Sequence, residues 1–253
     1  MMICAINQPT YLPWIGYFDL IDQADIFVYY DDIKITRSYW DVRNKIKSRD
    51  GSLFITVPVR RDKSHMETLF TNAEIDYTKK WGPKHLNTIS MNYSRLPYFE
   101  EVYSFLSDIF NKKYTFLGDL NIDFIESIAR GIGIETTTYR SSELGDLHGK
   151  SDIRLVSICK RLQVDAYLSP FGAIDYIEKE SPGGALVKNG IDLYYQNYNH
   201  PKYAQLFGVF VSHMSILDLL LNYGFGRSLE IIRSGRLDNM HYKNLKTEKH
   251  LLS

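Results

Sequence analysis

The sequence has little of several features that mark particular classes of protein. Only two cysteines occur, Cys4 and Cys159, without the spacing of a disulfide framework, which favours a reducing compartment. Lys plus Arg and Asp plus Glu number 30 each, so the net charge of zero gives no overall attraction to nucleic acid. No apolar stretch reaches the about 20 residues that span a bilayer, and residues 1–6 are too short for a secretory signal. We therefore expect a cytoplasmic protein with a small-molecule partner, with no nucleic acid bound and no stable membrane insertion.

The familiar catalytic motifs are missing as well. There is no HxH, HExxH or CxxC pattern, so a dedicated transition-metal site is not expected. There is also no P-loop, no GxGxxG fingerprint and no GxSxG elbow. Cys159 falls on the apolar face of a predicted helix and is expected to be buried and inert. Any chemistry must come from side chains that no single motif identifies.

Aromatic residues, in contrast, are abundant. They make up 14% of the chain and include 19 tyrosines. Tyrosine combines an apolar ring with a hydrogen-bonding tip, which suits a groove that binds a polar, ring-shaped ligand. A compositional bias of the genome explains the surplus equally well.

The order of predicted elements indicates an α/β fold. A strand at 2–7, a helix at 14–24 and a strand at 26–30 form the βαβ unit of a parallel sheet. Further strands are predicted at 53–59, 136–140, 166–169 and 191–195, and helices at 79–91, 98–110, 117–131, 152–163 and from 215. We expect one α/β domain over residues 1–235, with a mainly parallel central sheet, flanking helices and a helical insertion around residues 76–131. Residues 236–253 are expected to form a polar, loosely ordered tail.

The loop after the first strand is the most informative segment. Pro9 and Pro13 stiffen it, and Gly16 allows a close approach of the backbone. In α/β sheets, ligands bind beyond the carboxyl ends of the strands, where such a loop lies. The alternative is a proline-rich turn with a tryptophan anchored in the core. The candidate substrate-binding residues here are Gln8, Tyr11, Trp14 and Tyr17.

Two charged segments follow the second predicted strand. Asp31 and Asp32 are expected at the same edge as the first loop, where they would bind a metal, a sugar hydroxyl or a ribose, or else cap a turn. Trp40 is a candidate substrate-binding residue, and the side chains of Arg43, Asn44 and Lys45 after it are suited to binding a phosphate. For these three, the alternative is a charged surface helix.

Two histidines are candidates for a general base, because the ordinary pKa of histidine lies near neutrality. They are His85, at a predicted helix start, and His200, and one of Asp31 and Asp32 is the alternative candidate for this catalytic base. A strand-to-helix crossover at 169–176, with Gly172 in the turn, should place small groups and backbone N–H donors beside a ligand. On the helix from 215, Ser215, Asp218 and Asn222 share one face, for which a structural role is slightly favoured over catalysis.

Taken together, these segments resemble the WbqC-like family of bacterial proteins, from about residue 3 to residue 230. The opening motif, Gln8-Pro-Thr-Tyr-Leu-Pro-Trp-Ile-Gly-Tyr-Phe18, is long and unusual. The other matching pieces are Ala24-Asp25, Trp40 with Arg43-Asn44, Val57-Pro58, Trp81 with His85, Asn92-Tyr93, Tyr167-Leu-Ser169 with Gly172 and Tyr176, His200-Pro-Lys-Tyr-Ala-Gln205 and 215–224. The resemblance adds Asn92, Tyr93, Ser169, Gly172, Tyr203 and Gln205 to the candidate substrate-binding residues. Pro170 stands where the family pattern has glycine, which alters the crossover.

The resemblance implies a place in the biosynthesis of O-antigen or other surface polysaccharides. The leading hypothesis is an enzyme that transfers an acyl or aminoacyl group, such as glycyl, to the amine of a nucleotide-linked amino sugar. A second hypothesis is an ATP-dependent adenylate-forming ligase or a nucleotidyltransferase-like enzyme, with ATP and magnesium as cofactors. For this hypothesis, residues 14–17 have the glycine but lack the histidines of the usual motif. The third is a non-catalytic sugar-nucleotide-binding or scaffold protein.

Overall fold

The computed structural model describes residues 1–36, 39–60 and 68–245. Within these ranges, a mostly parallel sheet of six strands is flanked by helices, which confirms the predicted fold class. The strands are β1 (Ile3–Asn7), β2 (Ile26–Tyr29), β3 (Arg43–Ser48), β4 (Gly51–Thr56), β5 (Thr137–Arg140), β6 (Ala166–Ser169), β7 (Asp192–Tyr195) and β8 (Met240–His241). The α-helices are α1 (Ile15–Asp22), α2 (Trp81–Tyr93), α3 (Phe99–Asn111), α4 (Leu117–Gly131), α5 (Asp152–Arg161), α6 (Ile174–Ile177), α7 (Gly184–Lys188) and α8 (Ile216–Ser234).

The central sheet has the strand order β5-β2-β1-β6-β7-β8. β1 lies between two parallel neighbours, with Ala5 opposite Phe27 of β2 and Leu168 of β6. The chain runs from β1 outward to β2 and β5, and then returns to the other side of β1 through β6. The loops after β1 and β6 therefore leave the sheet edge in different directions.

The alternation of side chains along β1 divides the core between the two faces of the sheet. Ala5 packs in the larger apolar cluster, together with α1, α2, α3, α4 and α8. Cys4 and Ile6 pack in the smaller cluster with α5, α6 and α7. Cys159 is fully buried in the same smaller cluster, as expected from its helix face.

Between β2 and β5, the structure contains a two-stranded hairpin that the sequence did not predict. The predicted strand at 53–59 is present as β4, but it pairs antiparallel with β3 in a separate two-stranded sheet. Residues 43–48, for which a charged surface helix was the alternative, form β3. The reason is visible in the burial pattern, because Asn44 and Ile46 are buried whereas Arg43 and Lys45 are partly exposed. This alternation has the period of a strand.

The helical insertion and the beginning of the predicted tail both pack against the rest of the chain. Helices α2, α3 and α4 occupy the segment predicted as an insertion, and they contribute to the larger apolar cluster. The tail expected to be loosely ordered begins with ordered chain, because β8 pairs antiparallel with β7 and Arg236 forms ion pairs with Asp19 and Asp22. Residues 246–253 of the predicted tail lie outside the described residues. Among the described helices, none combines the length and apolar character needed to cross a membrane.

Candidate functional site

The carboxyl ends of β1, β2 and β6 border a cavity of about 520 Å³. It lies where the chain changes direction in the sheet, since β1 leads to β2 on one side and β6 leads to β7 on the other. In parallel α/β sheets, ligands bind at such a topological switch point because the loops there separate. We call it the switch-point cavity. Its lining includes Asn7, Gln8, Tyr30, Ser151, Gly172 and Tyr176.

A second cavity has a volume of about 270 Å³. It is formed by the loop after β1, by β3 and by the connection between β7 and α8. We call it the tryptophan cavity. Its lining includes Asn7, Trp14, Tyr17, Trp40, Asn44 and His213. Asn7, the last residue of β1, lines both cavities, so both lie at the end of this central strand, on opposite faces of the sheet.

Side-chain amides from distant elements hold the loop after β1 in place. Asn44 Nδ2 donates to the carbonyl oxygens of Tyr11 at 3.2 Å and Leu12 at 2.8 Å. Asn121 Nδ2 donates to the carbonyl oxygen of Pro9 at 2.7 Å. Leu12 has a φ of 43°, which is uncommon for a residue other than glycine. The amide of Asn44 is therefore used to fix the loop and is not free to bind phosphate.

Three of the four loop residues predicted to bind substrate line a cavity. Gln8 lines the switch-point cavity, and its side-chain amide makes no hydrogen bond to any residue within the described ranges. Trp14 and Tyr17 line the tryptophan cavity. Tyr11 is instead fully buried, and its hydroxyl lies 3.0 Å from Nδ1 of His85.

Gly16 allows a close approach by a side chain of the same loop. A Cβ atom at this position would lie 2.2 Å from Cη2 of the Trp14 ring. The indole therefore lies directly against the first turn of α1, in space that any other residue would fill. The position of Trp14 in the cavity depends on this glycine.

Two histidines from the connection between β7 and α8 lie beside Trp14. The His200 ring is nearly parallel to the indole, with ring centroids 5.9 Å apart and an interplanar angle of 14°. The His213 ring lies 4.7 Å from the indole and 5.0 Å from His200. His213 has a φ of 58°, a strained conformation of the kind that collects at functional sites.

Hydrogen bonding determines which nitrogen of His200 can accept a proton. Nδ1 lies 2.9 Å from the carbonyl oxygen of Pro201, which can only accept, so Nδ1 carries the hydrogen. Nε2 is buried and has no partner among the described residues. Burial lowers the pKa of His200, and His213 adds to this effect. His200 is therefore a neutral imidazole at neutral pH, with a free lone pair on Nε2.

Arg43 and Lys45 lie on one face of the β3–β4 hairpin with aromatic residues. The guanidinium carbon of Arg43 is 4.3 Å from the centre of the Phe54 ring. Nζ of Lys45 is 5.4 Å from the same ring and 5.7 Å from that of Trp40. Within the described part of the chain, neither cation is paired with a carboxylate. Burial lowers the pKa of His213, and the positive charge of Lys45 lowers it further. Lys45 is therefore close enough to act electrostatically on a residue that lines the tryptophan cavity.

His85, the other predicted base, lines neither cavity. It is buried on α2, where Nε2 donates to the carbonyl oxygen of Thr56 at 3.1 Å and Nδ1 faces the hydroxyl of Tyr11. Burial lowers the pKa of His85 to about 4. Both ring nitrogens are used within the core, which favours a structural role.

Asp31 and Asp32 join β2 to the segments after β5 and line neither cavity. Asp31 is buried and accepts hydrogen bonds from the backbone N–H of Ser142 at 3.0 Å and from its hydroxyl at 2.9 Å. Asp32 accepts from the hydroxyl of Ser141 at 2.6 Å and forms an ion pair with Arg154 of α5. Across the described ranges, no group of three or more His, Cys, Asp or Glu side chains is arranged to hold a metal ion.

Tyr93 and Gln205 belong to a buried polar network. The Tyr93 hydroxyl donates to Asp218 Oδ1 at 3.0 Å and accepts from the backbone N–H of Lys47 at 2.6 Å. Gln205 Nε2 donates to Asp218 Oδ2 at 2.7 Å and to the carbonyl oxygen of Val211 at 2.9 Å. Burial raises the pKa of Asp218. The network therefore fixes the segment between β7 and α8, which contains His200 and His213, to helices α2 and α8. This agrees with the structural role that was favoured for Asp218.

The remaining candidates divide between the site and its support. Gly172 lines the switch-point cavity. Ser169 is fully buried at the end of β6, and Tyr203 is buried with its ring 6.1 Å from that of His200. Asn92 donates to the carbonyl oxygen of Thr88, one turn back in α2.

Sequence reasoning missed several residues that line the cavities. Asn7 ends a predicted strand, and this position alone is the signal that could have identified it. His213 and Ser151 have positive φ angles of 58° and 55°, which nothing in their residue types predicts. Tyr30 and Tyr176 were part of predicted segments, but only the packing brings them to one cavity.

Comparisons with known proteins agree with the resemblance. The chain matches the WbqC-like protein family over residues 8–228. It is 34% identical over 222 residues to the uncharacterized protein Rv1507c of Mycobacterium tuberculosis (strain ATCC 25618 / H37Rv), covering 87% of this chain and 93% of that protein. No solved structure was found to match the chain.

Proposed function

The chain belongs to the WbqC-like protein family, and we propose that it transfers an acyl or aminoacyl group to the amine of a nucleotide-linked amino sugar in bacterial surface polysaccharide biosynthesis. The observation that carries this proposal is an aromatic cavity whose Trp40 wall lies against the hairpin face of Arg43 and Lys45, two cations that do not line the cavity and have no carboxylate partner among the described residues. An aromatic wall suits a sugar ring, and unpaired cations suit phosphate.

We place the sugar ring of the acceptor in the tryptophan cavity. The cavity volume of about 270 Å³ lies near the lower end of ligand sites, roughly 300–1,000 Å³, and suits one ring better than a whole nucleotide sugar. The sugar would lie between Trp14 and Trp40, with the diphosphate on Arg43 and Lys45. The nucleobase would then lie outside the cavity, on the exposed part of the hairpin that includes Phe54.

The pair of histidines supplies the base that the reaction needs. A sugar amine attacks only when it is neutral, and its nitrogen loses a proton as the new bond to the acyl carbon forms. We assign this proton to the His200–His213 pair. His200 lines neither cavity itself, but its neutral ring has a buried Nε2 without a partner among the described residues, and it lies 5.0 Å from His213, which lines the tryptophan cavity. The bond between the acyl carbon and the leaving group breaks, and the leaving group keeps the electron pair.

Calorimetric titration with a UDP-linked amino sugar that has a free amine tests the acceptor site. We expect the double variant Arg43→Gln/Lys45→Gln to lose at least about tenfold in affinity, because charge-assisted hydrogen bonds to phosphate contribute roughly 1.5–3 kcal/mol. Arg49→Gln is the matched control, since Arg49 is an exposed cation at the turn of the same hairpin. Equal affinity in the double variant and the control would refute the phosphate assignment.

Product analysis by mass spectrometry tests the reaction itself. Purified protein is incubated with the UDP-linked amino sugar and a panel of acyl thioesters, aminoacyl adenylates and free acids with ATP and magnesium. The proposal expects an amide on the sugar nitrogen that depends on the protein. Tight binding without any product from every donor would instead support a non-catalytic sugar-nucleotide-binding protein.

A further inference from the structure

The switch-point cavity is left without a ligand by the proposed function. It is the larger of the two cavities, and of the described residues only Asn7 lines both. Cys4 and Cys159 are fully buried and line neither, so the transferred group is not carried on a cysteine. We take the transfer to be direct, which requires the donor and the acceptor to be bound at the same time.

The walls of the switch-point cavity suit a nucleoside. Its volume of about 520 Å³ lies well within the range of small-molecule sites. Tyr30 and Tyr176 contribute aromatic rings, and Ile6 and Leu155 contribute apolar surface. Tyr176 is 44% exposed, and its hydroxyl is a neutral hydrogen-bond donor at neutral pH. The side-chain amide of Gln8, which has no partner among the described residues, can form hydrogen bonds with the edge of a base or with a ribose hydroxyl.

The charges around this cavity do not oppose a phosphate. No Asp or Glu is among the described residues that line it. Asp32 is neutralised by its ion pair with Arg154, and Asp152 accepts a hydrogen bond from the backbone N–H of Ala185 at 2.7 Å. One phosphate is enough for an activated donor, because the phosphate on the acyl carbon is then the leaving group.

Asn7 offers a hydrogen-bond donor at the end of β1, beside both cavities. Its Oδ1 accepts the backbone N–H of Gln8 at 2.9 Å, which fixes the orientation of the amide. Its Nδ2 makes no hydrogen bond to any of the described residues. A fixed, free N–H donor is the kind of group that stabilises a phosphate or a developing oxyanion.

We infer that the switch-point cavity binds the acyl donor as a nucleoside monophosphate ester, with its acyl carbon at Asn7 facing the amine in the tryptophan cavity. The assignment of this ligand to the donor rests on the proposed function. In the transfer, the amine nitrogen bonds to the acyl carbon and the bond from that carbon to the phosphate oxygen breaks. The nucleoside monophosphate leaves with the electron pair, and the amine proton goes to the histidine pair.

Calorimetric titration with AMP, GMP, CMP and UMP tests this site with the full-length protein. We expect one of them to bind the parent protein, and Gly172→Phe to weaken that binding at least about tenfold by filling the cavity. A Cβ atom at Gly172 meets nothing within 4 Å, so a side chain can begin there without displacing a neighbouring atom. Gly226→Phe on α8 is the matched control, because a Cβ atom there also meets nothing within 4 Å and Gly226 lines neither cavity.

The UDP-linked amino sugar provides the second arm of the experiment. It should bind Gly172→Phe as tightly as the parent, and saturating monophosphate should not displace it. If no monophosphate binds, or if Gly172→Phe binds it normally, the inference is overturned whatever happens to the sugar nucleotide. Displacement of the sugar nucleotide would mean that both occupy one site, which overturns the inference and leaves the proposed function standing. If the sugar nucleotide alone fails to bind, the acceptor assignment fails and the nucleotide site remains.

Discussion

The regions around His85 and His200 are alike in composition and opposite in character. In both, a histidine lies among aromatic rings, and burial lowers its pKa. Around His85, both ring nitrogens have partners, Tyr11 and the carbonyl oxygen of Thr56. Around His200, one nitrogen is bonded to the carbonyl oxygen of Pro201 and the other has no partner among the described residues.

The difference teaches that a lowered pKa does not by itself mark a functional histidine. Desolvation acts on any buried imidazole, whether it is structural or catalytic. What distinguishes His200 is a free lone pair next to His213, which lines a cavity. The four predictions below test this distinction, in order of decreasing expected effect.

His200→Ala should give the largest effect, on the rate of the proposed transfer. Loss of a general base lowers turnover by roughly 10² to 10⁴-fold. We expect kcat to fall by this factor while the KM for the sugar nucleotide changes little, measured in steady-state assays. His148→Ala, at an exposed histidine that lines neither cavity, is the control. Full turnover in His200→Ala would place the base elsewhere and remove the functional contrast with His85.

His85→Ala should give the next largest effect, on stability. The substitution removes a buried ring and leaves the Tyr11 hydroxyl and the Thr56 carbonyl without their partner. We expect the free energy of unfolding to fall by about 3 kcal/mol, measured by urea denaturation. Sugar-nucleotide affinity of the folded fraction should be unchanged, and a selective loss of affinity would show that His85 belongs to the site.

Acid should destabilise the protein through His85. Its pKa is about 4 in the folded chain against an ordinary value of 6.5, so the unfolded chain binds the proton more readily. The stabilisation is complete above pH 6.5 and is lost as the pH falls toward 4. Between pH 7 and 5 this amounts to about 2 kcal/mol. Urea denaturation of the parent protein and of His85→Gln, each at pH 7 and pH 5, isolates the contribution of His85 to the free energy of unfolding. An equal loss in both proteins would contradict it.

Gly16→Ala should give the smallest of the four effects, on ligand binding. The added Cβ atom would lie 2.2 Å from the Trp14 ring, so the indole must leave its place beside His200. We expect the affinity for the sugar nucleotide to fall by about tenfold, or about 1.4 kcal/mol, by calorimetry. Gly82→Ala in α2 is the matched control, because its nearest neighbour, Phe110, would lie at an ordinary 3.7 Å. Unchanged affinity in Gly16→Ala would show that Trp14 does not hold the ligand.

The candidate site could be predicted only in part. The loop after β1 was identified because its two prolines and Gly16 limit the backbone locally, and such limits are visible in a sequence. His85 and His200 could not be separated, because whether a ring nitrogen finds a partner depends on residues far along the chain, such as Thr56 and Pro201. His213 was missed for a similar reason, since it is the packing against Trp14 that brings it to a cavity.

The sequence by itself determined the alternation of strands and helices, and with it the parallel sheet whose central strand ends at Asn7. These features follow from the spacing of apolar residues, from prolines and from glycines, which act over a few residues. Only the tertiary structure decided that Arg43 and Lys45 lie on a separate hairpin, that Asp31 and Asp32 hold segments together, and that Asn7 lines two cavities. The physical reason is that hydrogen-bond partners, burial and cavity walls are contributed by segments that are distant in the chain.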